Sequence, residues 1–528
     1  MDSLHLPRAR MPVALIGTLI VLIVCYALGK IIYTLYIHPL AKVPGPKLNA
    51  LTRVPYVRHL LAGTTVDNVS RLHGKYGDVV RVSPNEVSCI SADAWQDIYG
   101  FRTGKLRGHL NMQKDPTWYV KPSNGVPSIL LANDADHARG RRTLAHAFSE
   151  KALAEQEPVV QDYVDQLVSR LKEVTSKSAE PVDMVAWYNW TTFDIISALL
   201  WGEPFGSLQD MATHKYIHVL LDSVKSFSMF YIMSYWPVTK YLGNLIIDQK
   251  IMAGRREYLG WITSQTKKRV ERETQRPDFM TAILKHNGEK GEVPLSMEEM
   301  VSNSVLLVSA GSETTATTLS ATTFQLLKNP AVMQKLTDEI RGRWTSYSDI
   351  TLEEVHKAPY LLAVLSEGLR YQPPVPAGFE RKVGPGGEVV AGFYLPGGTS
   401  VSVSQFPAYH SAQNFTDPET FAPERWMDDS KYANDKKHAF QPFSFGPRNC
   451  LGKVSGLVSA LERQRSEADL TRRQNLAYAE MRLIMAKMIW SFDLELDPRS
   501  ANWMDECLVK TLWIKPELKV RVREVVRT

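Results

Sequence analysis

Apolar residues run without a charge from Met11 to Gly29, pause at Lys30 and resume from Ile31 to Ile37. Nineteen residues at a 1.5 Å rise cover roughly 28 Å, close to the thickness of a hydrocarbon core. A core helix of that length would carry a polar stripe, and this run carries none. The pattern predicts a membrane anchor over residues 1–37. The rival is a cleaved leader, since Ala27-Leu28-Gly29 has the small-x-small form of a cleavage site. Arg8 and Arg10 precede the span, while Lys30, Lys42 and Lys47 follow it, which leans toward a cytosolic body. Pro39, Pro44 and Pro46 then predict an extended, stiff hinge over residues 38–50.

Beyond the hinge, Gly77 to Ser83 alternates like a strand, and Pro84-Asn85 turns it. Helical spacing dominates after that. Glu155 to Glu173, Ser296 to Lys328 and Thr351 to Tyr371 carry apolar residues three and four apart. Short strand-like pieces lie at Glu388 to Phe393 and Thr399 to Ser404. The expected fold is mainly α with a small β part, residues 51–528 forming one catalytic body. Phe227, Phe230, Tyr231, Tyr235 and Trp236 cluster between helices, as core or as a substrate mouth dipping into the membrane.

Composition narrows the classes. The 528 residues are 44% apolar and 22% charged, which excludes a disordered, collagen-like or coiled-coil chain. A net charge of +6 over this length gives no argument for a nucleic-acid partner. There are four cysteines, Cys25, Cys89, Cys450 and Cys507, so a secreted disulfide framework is not expected.

The most informative stretch runs from Phe443 to Gly452 in the form F-x-x-G-x-R-x-C-x-G. Gly446 would let a tight loop approach a flat ligand. Arg448 supplies a cation for an acidic group. Cys450 would precede a helix whose N-terminal amides stabilise a thiolate. A thiolate on haem iron favours cleavage of the O–O bond. A zinc site fails, because no second Cys or His lies at ligand spacing around Cys450.

With these residues the chain resembles the cytochrome P450 family, specifically its membrane-anchored fungal type, over nearly the whole length. The resemblance implies a P450 fold behind one transmembrane helix and haem b with Cys450 as axial ligand. Phe443 matches the aromatic beside the sulfur, and Arg448 a propionate partner. Glu367-x-x-Arg370 lies on one helical face, and Pro423-Glu424-Arg425 follows about fifty residues later. The family closes a structural cluster from these motifs, here Glu367, Arg370 and Arg425. His137 and Arg141 match the W-x-x-x-R helix, with His137 in the tryptophan's place; Arg141 would bind a propionate, and a histidine can still donate to a carboxylate. Arg381 falls near another propionate-binding position.

Ala310-Gly-Ser-Glu-Thr-Thr315 sits inside a helical stretch, although glycine and Ser/Thr runs are poor helix formers. Thr314 can bond back to the Ala310 carbonyl and bend the helix, opening a groove for dioxygen. Glu313 and Thr314 then stand where protons are needed for dioxygen reduction. The segment matches the family's oxygen-activation motif.

The implied activity is monooxygenation of a small apolar substrate, a terpenoid or polyketide intermediate of fungal secondary metabolism. Electrons would come from NADPH through a separate cytochrome P450 reductase. The expected location is the endoplasmic reticulum membrane, single-pass, body toward the cytosol. The sequons at Asn68, Asn189 and Asn414 are then silent. A haem enzyme that rearranges its substrate without external electrons is disfavoured by Glu313 and Thr314. One feature departs from the family pattern. Asn475 to Arg482 continues what Lys453 leaves off, and the 21 residues from Val454 to Gln474 stand between them. They keep the reading frame, a valine codon begins GT, and a glutamine codon can end AG. A retained intron is one reading and a surface insertion the other. The insertion also motivates a reading from another class, a non-catalytic tethered chain that cannot hold haem.

Overall fold

The computed structural model describes residues 10–119, 122, 124–236, 239, 248–274, 276–291, 293–453 and 476–526. The anomalous segment 454–474 lies outside them. The apolar N-terminal run forms helix α1 (Arg10–Ile32), which continues as a π-helical turn over Tyr33–Ile37. Leu15–Ile37 is long and apolar enough to cross a membrane, and none of it is buried; Leu19 is 58% and Leu22 61% exposed. Such a stripe-free apolar surface needs lipid or another apolar cover.

The proline segment differs from expectation. Pro39–Lys42 forms a 3-10 turn, not an extended piece, with His38 Nδ1 accepting the Leu40 N–H at 3.1 Å. Pro39 starts that turn, where its missing N–H costs nothing. Leu40 and Val43 are buried, the Arg81 N–H donates to Pro44 O at 2.7 Å, and Asn49 donates to Val82 O at 3.1 Å. The segment is therefore docked on the first hairpin.

That hairpin is β1 (Val79–Ser83) and β2 (Glu86–Cys89). Further along come β3 (Gln113–Lys114), β4 (Val182–Asp183), β5 (Arg381–Lys382), β6 (Glu388–Val390), β7 (Phe393–Leu395) and β8 (Ser400–Val403). The chain ends with β9 (Phe492–Leu496), β10 (Leu508–Val509), β11 (Trp513–Ile514) and β12 (Lys519–Glu524). The largest sheet has the order β1-β2-β8-β5-β3, with β2 and β8 parallel. Strands β4-β12-β9 form a second sheet; β6-β7 and β10-β11 are small hairpins.

The helices that matter for the site are α2 (Val54–Ala62), α3 (Asp134–Ala145), α4 (Glu150–Lys177), α5 (Met184–Trp201), α6 (Phe227–Tyr235), α7 (Met297–Lys328), α8 (Pro359–Tyr371) and α9 (Leu476–Ser491). Helix α7 starts where the sequence signals it: the Ser296 side chain accepts the Glu299 N–H, and Glu299 accepts the Ser296 N–H. The stretch predicted as one helix from Thr351 to Tyr371 is two, because Ala358 is extended and Pro359 begins α8. The main core lies between α4, α5, α7, α8 and α9. The aromatic cluster of α6 makes a small core of its own. Tyr231 is buried against Tyr56 and Trp118 lies against Phe227, while Arg53 of the preceding loop pairs with Glu86 and donates to Tyr231 Oη. The three sequon asparagines, Asn68, Asn189 and Asn414, are all buried, which leaves no room for a glycan.

One polar knot is fully enclosed. Arg370 Nε and Nη2 donate to Glu367 at 2.9 and 2.8 Å, and Arg425 Nε lies 3.4 Å from Glu367 Oε2. The Ala422 N–H and Trp426 Nε1 also donate to Glu367, at 2.9 and 3.0 Å. Arg425 pairs in addition with Asp435. Removing one partner of such a cluster strands the others without water. Glu367→Ala is expected to lower the denaturant midpoint, at unchanged slope, by an amount worth about 3–5 kcal/mol.

Candidate active site

The cysteine loop is held from within and from both flanks. The Cys450 N–H donates to Phe443 O at 2.9 Å, and the Asn449 N–H to Gly446 O at 3.1 Å. Gly446 has φ +76°, and a Cβ there would fall on the Tyr99 carbonyl oxygen. The glycine expected to make room for a flat ligand thus makes room for the backbone of Tyr99 and Gly100. Phe443 packs on Tyr478 of α9 with ring centroids 5.4 Å apart.

Cys450 is accessible to solvent although protein surrounds it closely. Burial pushes its pKa above the ordinary value. The N–H groups of Gly452 and Lys453 and the charges of Arg141 and Lys453 pull it back down. Both amides belong to the turn that follows the cysteine, as a thiolate requires.

Helix α3 is bolted to this loop at two points. Its Asp134 accepts Arg448 Nε and Nη2 at 3.2 and 2.8 Å. Seven residues on, and so on the same face, Arg141 donates to Asn449 O and Oδ1, both at 2.6 Å. His137 lies between them and is buried. Burial and the charges of Arg448, Arg141 and Lys114 push His137 down to about 4, so it is neutral at physiological pH and keeps one N–H to donate.

Arg381 on β5 completes the cationic side. It is 4% exposed, and its Nε and Nη1 have no hydrogen-bond partner. Directly opposite it in register is Lys114 of β3, whose Nζ donates to Tyr119 Oη at 3.1 Å. Burial, Arg381 and Arg448 hold Lys114 well below the ordinary lysine range. Like charges directly opposite in a sheet destabilise it. Arg448 Nη1 is also without a partner. A buried set of cations with spare donors needs anions to complete it. One soft thiol and a cationic rim for two carboxylates is a donor set that fits haem.

Helix α7 carries the Ala310 to Thr315 segment. Ala310 is exposed in the middle of a helix buried on either side, and Thr314, one turn on, is half-buried. Thr314 Oγ1 donates to Ala310 O at 2.6 Å, as the sequence suggested. Gly311 has a different reason: a Cβ there would stand 2.7 Å from Ile196 Cδ1 of α5. Glu313 faces elsewhere, buried and paired with Lys515. Beneath this stretch lies Glu480 of α9, buried and bonded by the Thr315 hydroxyl; burial pushes its carboxyl up to about 8.

The structure thus brings Cys450, Arg448, Arg141, His137 and Arg381 to one side, and Thr314 to the face of α7 that is open. Lys114, Tyr119, Asp134, Asn449 and Lys515 did not stand out in the sequence. Asn133 and Asp134 do carry a local signal, since the Asn133 side chain caps α3. Lys114 carries none, because its place opposite Arg381 depends on pairing across 267 residues. Among the described residues one trio of His, Cys, Asp or Glu side chains could reach a single ion, His146, His286 and Glu289, and Cys450 is not in it.

The cytochrome P450 family model matches residues 44–457. The chain is 56% identical over 520 residues to cytochrome P450 monooxygenase traB of Penicillium crustosum, covering 98% of each chain. It is 41% identical over 513 residues to cytochrome P450 monooxygenase lcsI of Purpureocillium lilacinum, covering 97% of this chain and 94% of the relative. It is also 40% identical over 515 residues to averantin hydroxylase of Dothistroma septosporum, covering 97% and 91%.

Two outcomes follow from the geometry. Lys114→Met relieves the facing charges and so stabilises the haem-free protein by up to ~1 kcal/mol. It also removes a charge-assisted donor, and transfer of haem to apomyoglobin should quicken about tenfold or more. The second concerns Glu480. The unfolded chain ionises near the ordinary value of 4.5 and the folded one near 8, so stability is full below 4.5 and falls as pH rises toward 8. The loss is on the order of a few kcal/mol, and Glu480→Gln should flatten denaturant midpoints measured from pH 5 to 8.5.

Proposed function

The chain belongs to the cytochrome P450 family, and on that premise we propose that Cys450 supplies the axial thiolate of its haem b while Arg448, Arg381, Arg141, Lys114 and His137 hold the two propionates. The protein is a haem-dependent monooxygenase of fungal secondary metabolism. The observation that carries the residue roles is the buried cationic set, with partnerless Arg381 and Arg448 donors, on the wall that also bears Cys450. Bound haem supplies the activation of dioxygen, which side chains do not provide.

The chain's own residues do the rest. Phe443 covers the sulfur side of the loop, and the Gly452 and Lys453 amides favour the anionic sulfur against the burial that opposes it. The Ala310 to Thr314 face leaves room beside the haem, and the Thr314 hydroxyl can pass a proton there by giving up its bond to Ala310 O. Glu313 is the acid that resupplies it. One O₂, two electrons and two protons convert a substrate C–H into C–OH and release one water. The electrons come from NADPH by way of a cytochrome P450 reductase. The substrate is a small apolar terpenoid or polyketide intermediate, and a relative named as a hydroxylase supports hydroxylation.

We place the protein in the endoplasmic reticulum membrane, held by residues 1–37, with the body 51–528 in the cytosol. The exposed apolar α1 and its flanking charges support this, and the docking of residues 38–50 on the first hairpin would fix the body's attitude to the bilayer. Residues 454–474 read as a translated intron, within which the family match ends. The rival reading is a chain that this insertion prevents from holding haem. A reduced carbon-monoxide difference spectrum, taken with and without residues 454–474, decides. The shortened chain is expected to show the red-shifted thiolate band, lost in Cys450→Ser. Absence of the band from both forms would overturn the haem assignment to Cys450, and cDNA that carries the 21 codons as the major product would remove the intron reading.

A further inference from the structure

Glu313 does not face the open groove beside Thr314. Lys515, the residue after β11, reaches α7 and pairs with Glu313 Oε1, and its Nζ also donates to Thr317 Oγ1 at 2.7 Å. Both side chains of the pair are 3% exposed. The lysine thus spans i and i+4 on the helix. Its own strand is pinned, because Trp513 Nε1 donates to Pro373 O at 2.7 Å. The second oxygen, Glu313 Oε2, is buried and has no hydrogen-bond partner. A carboxylate with one oxygen clamped and the other open has a fixed orientation and one free acceptor.

We propose that Lys515 is a positioning residue for the oxygen chemistry: it clamps Glu313 Oε1 and so leaves Oε2 alone as the proton-carrying atom. The C-terminal hairpin thereby becomes part of the proton path. This rests on the reading of Glu313 as the acid that resupplies Thr314. Without Lys515 the buried carboxylate has no counter-charge; it takes up a proton and loses its fixed orientation. Proton supply then fails part of the time. Two electrons and two protons take O₂ to hydrogen peroxide, and two more of each take it to two waters. Poorer proton supply shifts the output toward peroxide.

The test uses the full chain loaded with haem, reductase, NADPH and O₂, without added organic substrate. Peroxide released per NADPH is measured in wild type, Lys515→Met, Lys515→Arg, Glu313→Gln and the Glu313→Gln/Lys515→Met double variant. Lys515→Met should raise the yield several-fold, Lys515→Arg should restore most of the wild-type value, and the double variant should be no worse than Glu313→Gln. Infrared spectra of the ferric proteins give a readout apart from turnover. Lys515→Met should gain a protonated-carboxyl band that the double variant lacks. The double variant also leaves no lone buried charge, so it covers the case where Lys515→Met does not fold. An unchanged yield in Lys515→Met, no new band, or additive effects in the double variant would overturn the role of Lys515 alone. An unchanged yield in Glu313→Gln would overturn the reading of Glu313, and this inference with it.

Discussion

The position of the cysteine depends on one buried carboxylate. Glu367 has no access to water; it accepts hydrogen bonds from Arg370, the Ala422 N–H and the Trp426 indole, and Arg425 stands beside it as a second cation. A charge can remain in such a place only when its partners are complete. The consequence travels along hydrogen bonds. Arg370 Nη1 donates to Tyr409 O at 2.9 Å, and the Tyr409 hydroxyl accepts the Gln441 N–H at 2.9 Å. Gln441 stands two residues before Phe443, whose carbonyl holds the Cys450 N–H. Helix α8 thus sets the entry of the loop without touching the sulfur.

The far flank is set by α3, and there stability and function pull apart. Arg448 and Arg141 use the helix to fix the loop, yet Arg448 Nη1 and the Arg381 donors remain open. Lys114 faces Arg381 across two short strands. A sheet built for stability alone would not place two cations opposite each other. The carboxylates of a bound haem would turn this cost into affinity, and cofactor and fold would then stabilise each other by mass action.

Helix α7 shows the same division. Its hydroxyls are mostly satisfied by the helix's own carbonyls, as with Ser304, Ser309, Ser312, Thr318 and Ser320. Polar residues can therefore line a buried helix at little cost. Thr314 differs from these in standing beside the exposed Ala310 rather than within the packed core.

What the sequence determined by itself is what depends on local order. The stripe-free apolar run, the cysteine loop and the Glu367-x-x-Arg370 face each act over a few residues, and each is legible without a partner. Gly446 was legible as a position needing glycine, but its neighbour, the Tyr99 backbone, was not. The tertiary structure alone decided what crosses long stretches of chain. Pairing brings Lys114 to Arg381, and the C-terminal hairpin brings Lys515 to Glu313, across 202 residues. A lone lysine has no period and no spacing rule. Its role comes from the charge it meets after burial, and that is set by register and packing.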